Sequence, residues 1–171
     1  MRVAILTVSD RAASGEREDL SGPALQAKVE ARGWEGVSKA VVADEQAEIE
    51  RQLVSWADGG VTDIILTTGG TGFSPRDRTP EATLAVVDRS APGLAEAMRA
   101  ASLRSTVHAM LSRTVAGIRG STLIINLPGS PTGAVENLEV ILPVLPHAIQ
   151  LLRGDPQAES GHVPPARRGH A

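Results

Sequence analysis

The feature that most constrains this chain is Thr67-Thr68-Gly69-Gly70-Thr71-Gly72, which follows directly on the apolar run Ile64-Ile65-Leu66. Three glycines in four residues end a buried strand and force a turn into whatever comes next. That next element is announced by Thr79-Pro80-Glu81, with a threonine to cap and a proline for the first turn of a helix. A strand, a glycine turn and a helix make the basic unit of an α/β protein, and the question becomes whether the rest of the chain repeats it.

It does. Val3 to Val8 is a second apolar run, closed by Ser9-Asp10-Arg11. Ser21-Gly22-Pro23 and Gly33 bracket a helix over about residues 22–32, and Val37 to Ala43 is a further strand. Asp44 then stands before a helix whose Ile49, Leu53, Trp56 and Ala57 share one face, which Gly59-Gly60 ends; this stripe suits a core better than a binding surface. Another helix is expected from Pro92 through Leu103, a strand from Thr122 to Leu127, and a helix from Pro131 that Pro143 and Pro146 break before a last one near His147–Leu152. Continuous apolar strands between helices predict a mostly parallel sheet covered on both faces, an α/β three-layer sandwich. One domain over residues 1–153 accounts for it, and the Gly-, Pro-, Arg- and His-rich stretch 154–171 is expected to be a flexible tail.

Composition narrows the function. There is no cysteine, which removes disulfides, thiolate metal sites and cysteine nucleophiles. With Lys+Arg at 17 and Asp+Glu at 20 the chain is no general polyanion binder, and with Phe73, Trp34 and Trp56 its only aromatics it has no base-stacking platform, so nucleic acid is not an expected partner. The N-terminal apolar run is too short for a signal sequence or a membrane span, and a cytoplasmic protein with no membrane partner is expected by default. His108, His147, His162 and His170 lack metal-ligand spacing, and no G-x-S-x-G elbow is present.

In an open α/β sheet ligands bind beyond the carboxyl ends of the strands. The loops at that edge are Ser9-Asp10-Arg11, Asp44-Glu45-Gln46, Thr67 to Asp77, and Asn126 to Ser130. The glycine loop is either a phosphate cradle, with Thr68 to Gly72 offering backbone N–H groups and hydroxyls, or a sharp turn and nothing more. It is neither a P-loop nor a G-x-G-x-x-G dinucleotide loop, since Pro75 occupies the third glycine's place. Asp44 suits a helix N-cap. Asp77, within Arg76-Asp77-Arg78, suits a solvated charge cluster. Together beside a phosphate they also suit Mg²⁺ held against a polyphosphate, with Arg76 or Arg78 neutralising phosphate charge. Ser9 and Asp10 read as a cap or as ligand contacts, and Asn126, Pro128, Gly129 and Ser130 as a tight turn ending in a cap or as a pocket wall.

Taken together these loops resemble the molybdopterin adenylyltransferase family of molybdenum-cofactor synthesis, the MoaB/Mog and gephyrin G-domain type. The resemblance rests on Ser9-Asp10-Arg11, Asp19 to Pro23, Asp44-Glu45-Gln46, the glycine hexapeptide, Arg76 through Thr83, Pro92-Gly93-Leu94, Leu111-Ser112-Arg113 and Asn126-Leu127-Pro128-Gly129, across about residues 2–152. It implies a MoaB/Mog-like fold and adenylylation of molybdopterin by Mg-ATP with release of pyrophosphate. It puts the family's two essential aspartates on Asp44 and Asp77, its glycine loop on Thr68 to Gly72 and its pterin-side loop on Asn126 to Ser130. It also implies a homotrimer, with the pathway's molybdenum-insertion protein as a further partner. Two other activities fit the same fold: a non-catalytic molybdopterin- or precursor-binding protein, and a CinA-like pyrophosphate hydrolase. Retention of both aspartates favours the enzyme, because binding alone needs no added negative charge near phosphates.

Overall fold

The computed structural model describes residues 1–156 and 158. Its centre is a six-stranded sheet in the order β2-β1-β3-β6-β5-β4. The strands are β1 (Arg2–Val8), β2 (Glu35–Val42), β3 (Ile64–Thr68), β4 (Arg89–Ser90), β5 (Ala116–Arg119) and β6 (Thr122–Leu127). β2, β1, β3 and β6 are mutually parallel, and β5 pairs antiparallel with both β6 and β4. The helices are α1 (Asp10–Ala13), α2 (Ser21–Ala31), α3 (Gln46–Asp58), α4 (Thr79–Val86), α5 (Pro92–Ser102), α6 (Pro131–Ile141) and α7 (Leu145–Leu152), with a 3₁₀ turn over Val107–Leu111.

The central parallel strands β1, β3 and β6 are largely apolar because both of their faces are covered, whereas the edge strand β2, with Glu35, Ser38 and Lys39, is not. Val3 and Ile5 of β1, Ile64 and Leu66 of β3, and Leu123 and Ile125 of β6 point to a layer containing Leu25, Met98, Leu138 and Ile149 from α2, α5, α6 and α7. The intervening Ala4, Leu6, Val8, Ile65 and Ile124 point the other way, onto Ile49 and Leu53 of α3 and Ala82 and Val86 of α4. This is the expected three-layer sandwich. Burying a side chain of this size contributes about 1.5–3 kcal/mol, so the paired layers supply the bulk of the driving force. The Leu53/Trp56 stripe belongs to the second layer, as expected of a core face.

The structure corrects several local expectations. β4 and β5 and the 3₁₀ turn have no apolar run to announce them. The cap expected as one alternative at Ser9 is present: Ser9 caps the one-turn α1, its Oγ accepting the Ala12 N–H. Asp44 is not the cap of α3, because Glu45 takes that extended position. Thr79 is the first residue of α4 rather than its cap, and its hydroxyl donates instead to the Gly69 carbonyl at 2.8 Å. Ser21 likewise lies inside α2. Most of the expected tail falls outside the described residues.

Register places the site. Thr7 of β1 is level with Thr68 of β3, and Thr68 with Leu127 of β6. The loops that leave these three strands therefore emerge side by side. β1 sends its chain toward β2 on one flank while β3 lies on the other, so this edge is a topological switch point, the place where open sheets leave a crevice. Among the described residues no single helix is long and apolar enough to cross a membrane.

Candidate active site

A cavity of about 530 Å³ opens at that switch point. Its floor is the turn after β3. Gly69 and Gly70 have φ of +96° and +61°, and no other residue type fits in their place: a Cβ on Gly69 would run into the Val8 carbonyl, and one on Gly70 into Thr79 and Asp44. The turn is tied down on both sides, by Thr68 Oγ1 donating to the Pro128 carbonyl at 2.7 Å and by Thr79 N–H donating to the Gly70 carbonyl at 3.1 Å. Gly129 packs against the Gly69 backbone, where a Cβ would stand 3.2 Å from the Gly69 Cα.

The acidic wall comes from three separate loops. Asp10 and Asp44 clasp each other's backbone: Asp10 N–H donates to Asp44 Oδ2 at 2.8 Å and Asp44 N–H donates to Asp10 Oδ1 at 3.0 Å. Two carboxylates so close need a cation, and Arg76 supplies it to one of them only. Its Nε and Nη2 take the two oxygens of Asp10 at 3.0 and 2.9 Å, while Nη1 reaches Glu45 at 2.7 Å. The Arg76 fork holds Asp10 below the usual carboxylate range. Asp44 is pushed the other way: burial raises its pKa, and the negative charges of Asp10 and Asp77 add to the rise. Asp77 enters from the loop before α4, its Oδ2 accepting the Ser74 N–H at 2.9 Å and standing 2.9 Å from where a Cβ on Gly72 would lie. Asp44 Oδ1 stands equally close, 2.9 Å, to a Cβ position on Gly70. Each of the two aspartates thus comes up against a glycine of the same turn.

Opposite them, the N-terminal ends of α2 and α6 face the cavity through Ser21 and through Ser130-Pro131. Helix N-termini favour anions. Ser130 caps α6 by accepting the Gly133 N–H at 3.0 Å. Asp19 does for α2 what Ser21 was expected to do: it accepts the Gly22 N–H at 2.9 Å and the Ser21 hydroxyl at 3.2 Å, and its other oxygen accepts the Thr7 hydroxyl at 2.8 Å. Arg11 and Arg17 also line the cavity, and neither takes part in an ion pair among the described residues.

A second cavity, of about 290 Å³, adjoins the first and shares Ser130 with it. Ala109, Leu111 and Pro128 give it apolar walls, and Ser102, Ser112 and Asn137 give it a few hydrogen-bonding groups.

The expected site residues therefore divide. Ser9, Asp10, Asp44, Thr68, Gly69, Gly70, Arg76, Asp77, Gly129 and Ser130 all line the first cavity. Thr71, Gly72 and Pro128 line the second. Asn126 lines neither: it is fully buried in β6, where its Nδ2 donates to Thr67 at 2.9 Å and Thr83 at 2.8 Å, so it braces the sheet beneath the glycine turn. Arg76 is engaged with Asp10 and Glu45 rather than free for a phosphate. Among the described residues there is no cluster of three His, Asp or Glu side chains able to hold a metal unaided. Mg²⁺, however, is ordinarily held by one or two carboxylates together with substrate phosphates, and Asp44, half-buried among negative neighbours, is the group a divalent cation would relieve. Asp44 and Asp77 fit that role.

Comparison with known proteins gives the family and the fold. The family model described as "Probable molybdopterin binding domain" matches residues 4–147. The molybdopterin adenylyltransferase of Helicobacter pylori strain J99 is 42% identical over 157 residues, covering 91% of this chain and 89% of that protein. Gephyrin of Dictyostelium discoideum is 45% identical over 166 residues, but the chain spans only 23% of its length. The solved structure of the molybdopterin biosynthesis enzyme MoaB from Thermus thermophilus is 54% identical and superposes with a TM-score of 0.85, covering 91% of this chain and 98% of that one.

Proposed function

Because the chain belongs to the molybdopterin-binding domain family, we propose that it is a molybdopterin adenylyltransferase acting in molybdenum-cofactor synthesis. ATP occupies the larger cavity and molybdopterin the smaller one. A terminal phosphate oxygen of the pterin attacks the α-phosphorus of ATP, the bond from that phosphorus to the bridging oxygen breaks, and pyrophosphate leaves as adenylylated molybdopterin forms.

The observation that carries this reading is the convergence of Asp44 and Asp77 on a single glycine turn. A phosphate monoester is already largely dianionic at pH 7, with its second pKa near about 6, so the nucleophile needs no general base. Two carboxylates facing an anionic substrate would then be a pure liability for a site that only binds. They make sense as the protein's ligands to Mg²⁺, which, when bound, neutralises charge on the triphosphate. The remaining work is alignment, which dominates phosphoryl-type chemistry. The glycine turn offers backbone donors, the α2 and α6 N-termini face the same space, and Arg11 and Arg17 are the cations left to meet the departing pyrophosphate. Ser130, on both rims, marks where the two substrates meet. The apolar walls of the smaller cavity suit a flat heterocycle, and its serines and Asn137 suit the ring's polar edge.

The test is single-turnover formation of adenylylated molybdopterin from ATP, Mg²⁺ and molybdopterin by the full chain. Product that appears with the parent and disappears with Asp44→Asn and with Asp77→Asn supports the enzyme. Tight pterin binding without product would leave a carrier.

A further inference from the structure

Arg113 lines neither of the two cavities described above, yet it holds the backbone of the loop that carries Asp77. Its backbone N–H donates to the Thr71 carbonyl at 2.9 Å. Its Nε donates to the Gly72 carbonyl at 2.7 Å, and its Nη2 to the Asp77 carbonyl at 2.8 Å. Nη1 pairs with Glu81 in the first turn of α4. One guanidinium thus spans the segment from the glycine turn to Asp77 and fastens both ends to the helix that follows. Only a planar fork with fixed N–H directions can serve three acceptors on two sides at once. Residue 112, immediately before it, lines the smaller cavity, so the same backbone forms the wall of one cavity and the brace of the other.

Glu81 completes the device. Burial works against its charge, but the bond and charge of Arg113, its own backbone N–H and the charge of Arg78 together outweigh burial and hold it below the usual carboxylate range. It therefore stays ionised and keeps the guanidinium oriented. Within its own loop Asp77 accepts the Ser74 N–H on Oδ2 at 2.9 Å and donates its N–H to the Ser74 carbonyl at 2.9 Å. The Arg113 bond to its carbonyl is what ties its backbone beyond that loop.

We propose that Arg113 is a positioning residue for Asp77, oriented by Glu81 and acting through the Gly72 and Asp77 carbonyls; its effect on rate rests on the adenylyl-transfer reading above. A misplacement of about 1 Å can cost 100-fold in rate, so the expected loss is large for a residue that touches no substrate.

The experiment compares Arg113→Lys with the parent by two readouts. In the unliganded full chain, amide hydrogen exchange should rise in residues 72–78 and stay unchanged in β1, β3 and β6. In turnover, kcat should fall about 100-fold with KM for ATP within about threefold, and adding Arg113→Lys to Asp77→Asn should cost little more than Asp77→Asn alone, since groups acting as a unit are not additive. Glu81→Gln, a milder variant, should move both readouts the same way by less, and it serves if Arg113→Lys folds poorly. Unchanged exchange over 72–78, or losses that multiply in the double variant, would overturn the proposal. If the parent itself makes no product, the adenylyltransferase reading fails, while the exchange measurement still decides whether Arg113 holds the loop.

Discussion

The amino and carboxyl edges of the parallel sheet carry aspartates in opposite circumstances: Asp63 precedes β3 and Asp44 follows β2. At the amino end, Asp63 is almost wholly buried, its side chain 4% exposed, and it is saturated with positive charge: Arg2 reaches it through its guanidinium at 2.9 Å and its backbone N–H at 2.8 Å, and Arg153 arrives at 2.7 Å. Burial alone would raise its pKa, but those partners drive it far below the usual range. At the carboxyl end, Asp44 has a backbone donor but no ion pair of its own among the described residues; burial raises its pKa, and the charges of Asp10 and Asp77 add to the rise. A carboxylate that serves the fold is fully neutralised by the protein. One that serves chemistry is left short of positive charge, for a ligand to complete. The same sheet holds both because its two edges face different tasks.

The sharpest way to break this contrast is at the starved end. Asp44→Asn and Asp77→Asn should each lower single-turnover adenylyl transfer by at least about 100-fold, roughly 2.7 kcal/mol, with melting temperature held or slightly raised. Equal activity in both variants would reduce the two residues to surface charges. Asp63→Asn should do the reverse. Removing charge-assisted hydrogen bonds at a buried site costs about 1.5–3 kcal/mol, a drop of several degrees in Tm, while kcat at a permissive temperature stays within about twofold.

Stability as a function of pH should separate the ends again. Asp63 has a depressed pKa, so its contribution is complete above the ordinary carboxylate range and is lost as pH falls into strong acid. Asp44 has a raised pKa, so its contribution is complete below that range and is lost as pH rises through the raised value. Thermal melts from pH 3 to 7 should therefore show Asp44→Asn gaining on the parent as pH rises, and Asp63→Asn losing ground to it. Parallel curves would remove the electrostatic distinction. The smallest effect belongs to the rim: Arg11→Gln and Arg17→Gln should each raise KM for ATP about three- to tenfold and flatten its dependence on salt, with kcat little changed, as expected for exposed charges that meet a polyanion.

Much of the fold was legible because fully buried parallel strands must be apolar at every position, and Val3–Val8, Ile64–Leu66 and Leu123–Leu127 are nearly so. β5 was not, because Ala116–Arg119 is four residues with a glycine, and β4 has only Arg89 and Ser90. Local propensity also misassigned the caps. Aspartate before a helix is ordinarily a cap, but Asp44 reaches back to Asp10, 34 residues earlier, once β1 and β2 pair. Arg113 acts through its guanidinium on residues 32 to 41 positions earlier, so its role showed only once the chain was folded. Asp19 is different: it caps Gly22 three residues on, a local signal that the choice of Ser21 as cap passed over. Asn126 showed the opposite failure: its position at a strand end suggested a pocket, while its inward direction made it a brace.

Ser130 lies on the rim of both cavities, so the ridge between them carries a small side chain. One molecule could therefore cross it. A nucleotide joined to a flat heterocycle by a short phosphate-like bridge would occupy both chambers at once, and its second half would bind at an effective concentration in the millimolar range or above. Such an inhibitor would gain most from a bridge just long enough to clear the ridge and would lose that gain with every added bond of slack.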